Sequence, residues 1–179
     1  MKHLRTLVRA TCMLAASFPA MADNITPPEG AAANLVGASQ VESIKFDEGQ
    51  IILTIDEKKD LREAIAQTGV KNIDEIKILV WSDHDYPTAG KEASEADVTL
   101  AEKRGEAIKS YLKDLNVSDV DVHNMAQKPT EISRFFKTDD YELKSSTEAT
   151  GPNKYKSKAF WKVNGGPSRS LVMIIPEKK

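Results

Sequence analysis

The chain has 179 residues, 29% of them charged, and a formal net charge of −2. That length holds one core, or one core with a decorated edge, and the balance of charged and apolar residues is that of an ordinary globular protein. The weak acidity excludes a nucleic-acid binder that works by bulk charge, and it argues against adhesion to anionic membranes.

Met1–Arg9 carries Lys2, Arg5 and Arg9 and no acid, Thr11–Ala20 is short and apolar, and Ala20-Met21-Ala22 precedes Asp23. A basic start, an apolar middle and an A-x-A end predict an export signal over residues 1–22; an amphipathic N-terminal helix is the competing reading. The apolar part is too short to span a bilayer, so no membrane insertion is expected. Cleavage would remove Cys12 and with it any disulfide or thiolate chemistry. A lipid on Cys12 fits poorly, because Arg9 stands three residues before it. Cleavage would also take the basic count from 25 to 22 against 27 acids, a net charge of −5.

Asn24–Ser39, rich in Pro, Gly and Ala without a period, predicts a flexible leader, so that residues 23–40 precede a folded domain over 41–179. Val41–Phe46 alternates as a strand, and Gly49–Thr54 is expected to extend it. Thr54, with Glu57 three residues on, forms a capping-box pattern and opens a helix whose buried stripe is Ile55, Leu61, Ala64 and Ile65, ending at Gly69. Glu75–Trp81 contains the run Ile78-Leu79-Val80-Trp81, which predicts a central strand covered on both faces. A polar loop over 85–96 leads to a helix over Asp97–Leu115, with Leu100, Ala101, Ile108, Tyr111, Leu112 and Leu115 on one face and Asn116 as its stop. Val120–Ala126 is a third strand. Residues 129–166 form an insert, helical over Thr130–Ser146, before a last strand at Ser168–Ile175. The order β-α-β-α-β-(insert)-β predicts an α/β (α+β) fold, a two-layer sandwich of helices on a mixed sheet.

Two charged residues stand out against this frame. Asp83 follows the carboxyl end of the buried strand, the edge that ligands favour in sheets with crossover helices. Arg104 lies on the apolar stripe Leu100, Ile108, Tyr111, Leu115, where a guanidinium needs an anionic partner or water. A plain Asp83–Arg104 ion pair and a snorkelling Arg104 are the structural alternatives.

The segments IKFDEGQIILTIDEKKDLREAIA, IKILVWSDHD and LAEKRGEAIKSYLKDLNV resemble the OmpA-like peptidoglycan-binding domain. Ser82-Asp83 matches the family's T-D, Leu100–Leu112 its L-S-x-x-R-A-x-x-V-x-x-Y-L helix, and Ser168-Arg169 its N-R-R strand. The resemblance covers Val41–Ala126 and the last strand. It departs at Tyr86 and Val80, where the family has Gly, at Asp97, where it has Asn, and in the longer loop before Arg104. The resemblance implies a Gram-negative periplasmic protein that binds peptidoglycan without catalysis, cofactor or metal. Asp83 would take the ammonium of diaminopimelate and Arg104 its carboxylate. Ser82, His84, Thr99 and Leu100 would shape the rim. Arg169 is either a second cation near the rim or an edge-strand charge that blocks aggregation.

Two other readings compete. The aromatics Phe135, Phe136, Tyr141, Tyr155, Phe160 and Trp161 in the insert suit either packing onto the sheet or a surface for an envelope protein partner, the latter in a degenerate domain that no longer binds cell wall. Asp83, His84, Asp85 and His123 are possible metal ligands by type, but adjacent strand residues point to opposite faces. No Ser-His-Asp order, Cys-His pair, P-loop or dinucleotide glycine pattern is present.

Overall fold

The computed structural model describes residues 20–21, 27–84, 93–128, 135, 137–149 and 168–178. In chain order these form strand β1 (Ala20–Met21), helix α1 (Pro27–Val36), β2 (Gln40–Lys45), α2 (Ile55–Thr68), β3 (Ile73–Val80), α3 (Glu95–Asp114), β4 (Val120–Asn124), α4 (Asp139–Ala149) and β5 (Arg169–Pro176). The sheet order is β1-β2-β5-β3-β4. β5 runs antiparallel to both β2 and β3, and β3 runs parallel to β4. The fold is α+β with a mixed, open sheet, as the alternation of elements predicts.

Alternation along the strands splits the interior into two cores. Ile76, Ile78 and Val80 of β3 face α2 and α3 with Ile44, Leu61, Ile65, Ile108, Leu112 and Val172. Leu79 and Trp81 face the other way, with Val41, Leu171 and Met173, against Ala32 and Ala33 of α1 and Leu143 of α4. β3 is therefore buried on both faces, as its unbroken apolar run requires. The sheet with α2 and α3 makes the expected two layers, and α1 and α4 add cover to the opposite face.

The capping signals work as read. Thr54 Oγ1 accepts the Glu57 N–H at 3.2 Å. The Glu57 carboxylate contacts the Thr54 hydroxyl and takes the Lys45 N–H at 3.2 Å, which ties α2 to β2. Ser94 caps α3 through the Asp97 N–H at 3.1 Å, so the helix begins two residues before its expected start. Asn116 stops it in the left-handed conformation, φ 64°, with the Val117 N–H returning to Leu112 O at 3.1 Å. Gly105 is buried where α3 meets the sheet, and a Cβ there would lie 2.5 Å from Val122 Cγ1.

Four expectations need correction. The leader is not flexible over Pro27–Val36: this is a helix, closed by the Ala38 N–H on Ala33 O at 2.9 Å, with Ala32 and Ala33 fully buried. Alanine favours helix strongly but gives little apolar periodicity to read. Gly49–Thr54 adds no strand: it begins in a turn, and Gln50 directs its carbonyl inward to Arg104. Ile55 is 85% exposed, since the first turn of α2 projects beyond the core. The helix expected over Thr130–Ser146 is broken at Lys137, which is left-handed at φ 47°, and a helix runs over Asp139–Ala149. Phe135 is exposed and Tyr141 half-buried; Thr130, Ile132, Phe136, Tyr155, Phe160 and Trp161 lie outside the described residues.

Ion pairs reinforce the seat of α4. Lys77, almost fully buried on β3, reaches Glu75 at 2.7 Å, Asp139 at 3.0 Å and Asp121 at 3.8 Å. His123, buried on β4, lies 3.1 Å from Asp140, which Lys144 also meets at 3.0 Å. Asp139 and Asp140 begin α4, where negative charge complements the helix dipole.

Candidate functional site

β3 ends at Val80 and delivers Asp83 to the rim of the sheet, while α3 carries Arg104 in its third turn. The two meet at 2.6 Å, Nη2 to Oδ1. Arg104 is completely buried. Its Nε donates to Gln50 O at 2.8 Å, its Nη1 to Trp81 O at 3.2 Å, and its Nη2 also to Asp47 O at 3.2 Å. The Phe46 ring lies 4.8 Å from the guanidinium carbon. A buried charge is tolerable on these terms, because each guanidinium nitrogen donates at least one hydrogen bond and the ring covers it.

Asp83 is held as closely. It accepts the Gly49 N–H at 2.6 Å on Oδ2 and the Ser168 hydroxyl at 2.8 Å on Oδ1. Burial pushes its carboxyl up, but the hydrogen bonds from Arg104, Gly49 and Ser168 outweigh burial and hold it below the usual carboxylate range. The pair is a closed, charge-assisted unit.

The other predicted residues divide. Ser82 is buried and accepts the His84 N–H at 3.2 Å. His84 projects into solvent, and its Nδ1 pairs with Asp97 at 2.8 Å, which raises its pKa. Burial pushes the Asp97 carboxyl up, but bonds from Ser94, His84 and Ser82 carry it below its ordinary value. Thr99 and Leu100 line an open groove of about 540 Å³ with Gly49, Ile51, Glu95, Ala96 and Lys103. This groove lies beside the Asp83–Arg104 pair, and Gly49 belongs to both.

Arg169 is on neither an exposed rim nor an edge strand. It is fully buried on β5, between β2 and β3, and its guanidinium carbon lies 5.8 Å from the Trp81 ring centre. Its parity matches Leu171 and Met173, on the sheet face opposite α3. The preceding residue, Ser168, reaches Asp83 instead. Ser168 and the turn Phe46–Gln50 are the site components that side-chain reasoning misses; Gly49 and the matched S-R pair are their only sequence signals. His84 and His123 pair with different carboxylates, on Asp97 and Asp140, and do not converge. Asp85 lies outside the described residues.

No family model matches the sequence, and no curated protein matches it. Solved structures do. The OmpA-like domain of FopA1 from Francisella tularensis subsp. tularensis SCHU S4 is 16% identical, with a TM-score of 0.41 over 77% of this chain and 75% of that chain. The peptidoglycan-associated lipoprotein from Burkholderia pseudomallei is 18% identical, with a TM-score of 0.41 over 75% and 89%. A putative MotB like protein from Desulfovibrio vulgaris is 11% identical, with a TM-score of 0.43 over 76% and 76%. The first carries the name of the family that Val41–Ala126 resembles. No helix among the described residues is long and apolar enough to cross a membrane.

Proposed function

We propose that this is a non-catalytic, exported cell-envelope protein of OmpA-like type that binds peptidoglycan in the periplasm, with Asp83 and Arg104 as its anchors. The observation that carries the reading is their meeting at 2.6 Å at the carboxyl end of β3, one from the strand and one from the helix. A carboxylate beside a guanidinium suits a zwitterion: Asp83 takes the ammonium and Arg104 the carboxylate of diaminopimelate. Ser82 and His84 set the strand end, and Thr99 and Leu100 offer a groove for the rest of the stem peptide.

A second reading has its own support. Arg104 is fully buried and makes four hydrogen bonds within the chain. In that reading the pair only pins α3 to β3, and the insert over 129–166 serves an envelope protein partner.

Co-sedimentation with purified diaminopimelate-type peptidoglycan separates the two. Cell-wall binding requires that wild type pellets with the wall and that folded Asp83→Asn and Arg104→Lys stay in the supernatant. Wild type left in the supernatant sinks the binding reading and leaves a structural pair.

A further inference from the structure

The Asp83–Arg104 pair is covered by backbone. Asp47–Gln50 is a β-turn, closed by the Gln50 N–H on Asp47 O at 2.9 Å, with Gly49 at φ 70° in its third position. Its peptide groups are aimed inward. The Gly49 N–H donates to Asp83 Oδ2 at 2.6 Å, while Gln50 O and Asp47 O accept from Arg104 at 2.8 and 3.2 Å. The turn therefore offers a donor to the anion and two acceptors to the cation. That is the polarity of an amino-acid head group, an ammonium for Asp83 and a carboxylate for Arg104.

The turn is also open to solvent. Phe46 and Leu53 are buried anchors, and Asp47–Gln50 and Ile52 between them are exposed. Gly49 stands between the pair and the groove lined by Thr99 and Leu100. Lifting the turn would join that groove to the two charges. The exchange is chemically reasonable: neutral peptide groups make weaker bonds to ions than a full ammonium or carboxylate does.

We propose that the Asp47–Ile52 segment is a strap that competes for the site, filling on Asp83 and Arg104 the positions a zwitterionic ligand would use, so that such a ligand binds by displacing it. The proposal rests on the cell-wall reading above and assigns how that site is regulated. Its apparent affinity is the intrinsic one scaled by the fraction of molecules with the strap open.

Soluble muropeptides with a diaminopimelate stem are the probe, titrated against wild type and Gly49→Val, with amide hydrogen exchange read at Gly49. No atom lies within 4 Å of a Cβ built at Gly49, so the variant strains the turn without a clash. A side chain at that φ disfavours the closed turn by roughly tenfold. The expected result is up to about tenfold tighter binding by the variant, with faster exchange at Gly49 when wild type is loaded. Binding by the variant alone overturns displacement by this ligand, because wild type then does not bind and the cell-wall reading falls with it. If wild type binds while Gly49 stays protected, or the variant binds no more tightly, the strap is overturned and cell-wall binding stands. If neither protein binds, both readings fall.

Discussion

Lys77 Nζ lies 3.0 Å from Asp139, so β3, an inner strand of the sheet, is tied to the first turn of α4. The ammonium sits at the end of a buried stem, and its carboxylates are partly solvated. Burial alone would lower its pKa, yet bonds to Glu75 and Asp139 raise it above the ordinary amine value. A raised amine contributes stability below its unfolded value, and that contribution is lost as pH rises through the folded value, above about pH 10. Lys77→Ala should cost about 2–3 kcal/mol in urea unfolding, because packing and pairing are both lost. Lys77→Met keeps the packing, and should cost about 1 kcal/mol.

Acid should loosen the fold in a defined window. Burial pushes the Asp83 and Asp140 carboxyls up, but Asp83's bonds from Arg104 and Asp140's from His123 and Lys144 leave both below the usual range. A depressed carboxyl contributes above its unfolded pKa, near 3.9, and the contribution is lost as pH falls through the lower folded value. Stability in urea should therefore drop below about pH 4. Asp140→Asn should be weaker than wild type at pH 7, and the gap should narrow as pH falls below about 4; a constant difference down to the acid transition would refute the assignment.

Breaking the Asp83–Arg104 pair from one side should be worse than removing both charges. Arg104→Met leaves Asp83 buried beside two remaining donors, and should cost about 3–5 kcal/mol. Asp83→Asn keeps an acceptor for Gly49 and Ser168 and should cost less. The double variant should fall short of the sum by more than about 1 kcal/mol, measured as a double-mutant cycle in denaturant.

Gly105→Ala should destabilise even though alanine is the better helix former. The added carbon would stand 2.5 Å from Val122 Cγ1, and such overpacking costs about 1–3 kcal/mol. Val122→Ala in the same chain should recover part of the loss. Thermal melts of the three proteins test this, and additive losses would mean that the clash is relieved elsewhere.

Much of the frame is legible from side chains. The apolar run at Ile78–Trp81 marks a strand buried on both sides, and Arg104 on the stripe of α3 announces a buried cation that needs Asp83. What stays hidden has a physical reason in each case. α1 is sealed by alanines, too small to mark an apolar face. Arg169 could not be placed because sequence order does not reveal that β5 lies between β2 and β3. Half of the site's polarity comes from the carbonyls of Asp47 and Gln50 and the N–H of Gly49, and every residue carries such groups.

The position of β5 also governs when this molecule can assemble. β2 and β3 are not neighbours; each bonds to β5, whose residues begin at Arg169. Until that late segment arrives, β2 has no hydrogen-bonded route to β3–β4, and the apolar side chains of Ile76–Trp81 lack half their cover. Closure of the sheet is a long-range event, slow relative to helix formation and exposed to misassembly while it waits. The same insertion that places Ser168 beside Asp83 makes completion of the site depend on closure of the sheet.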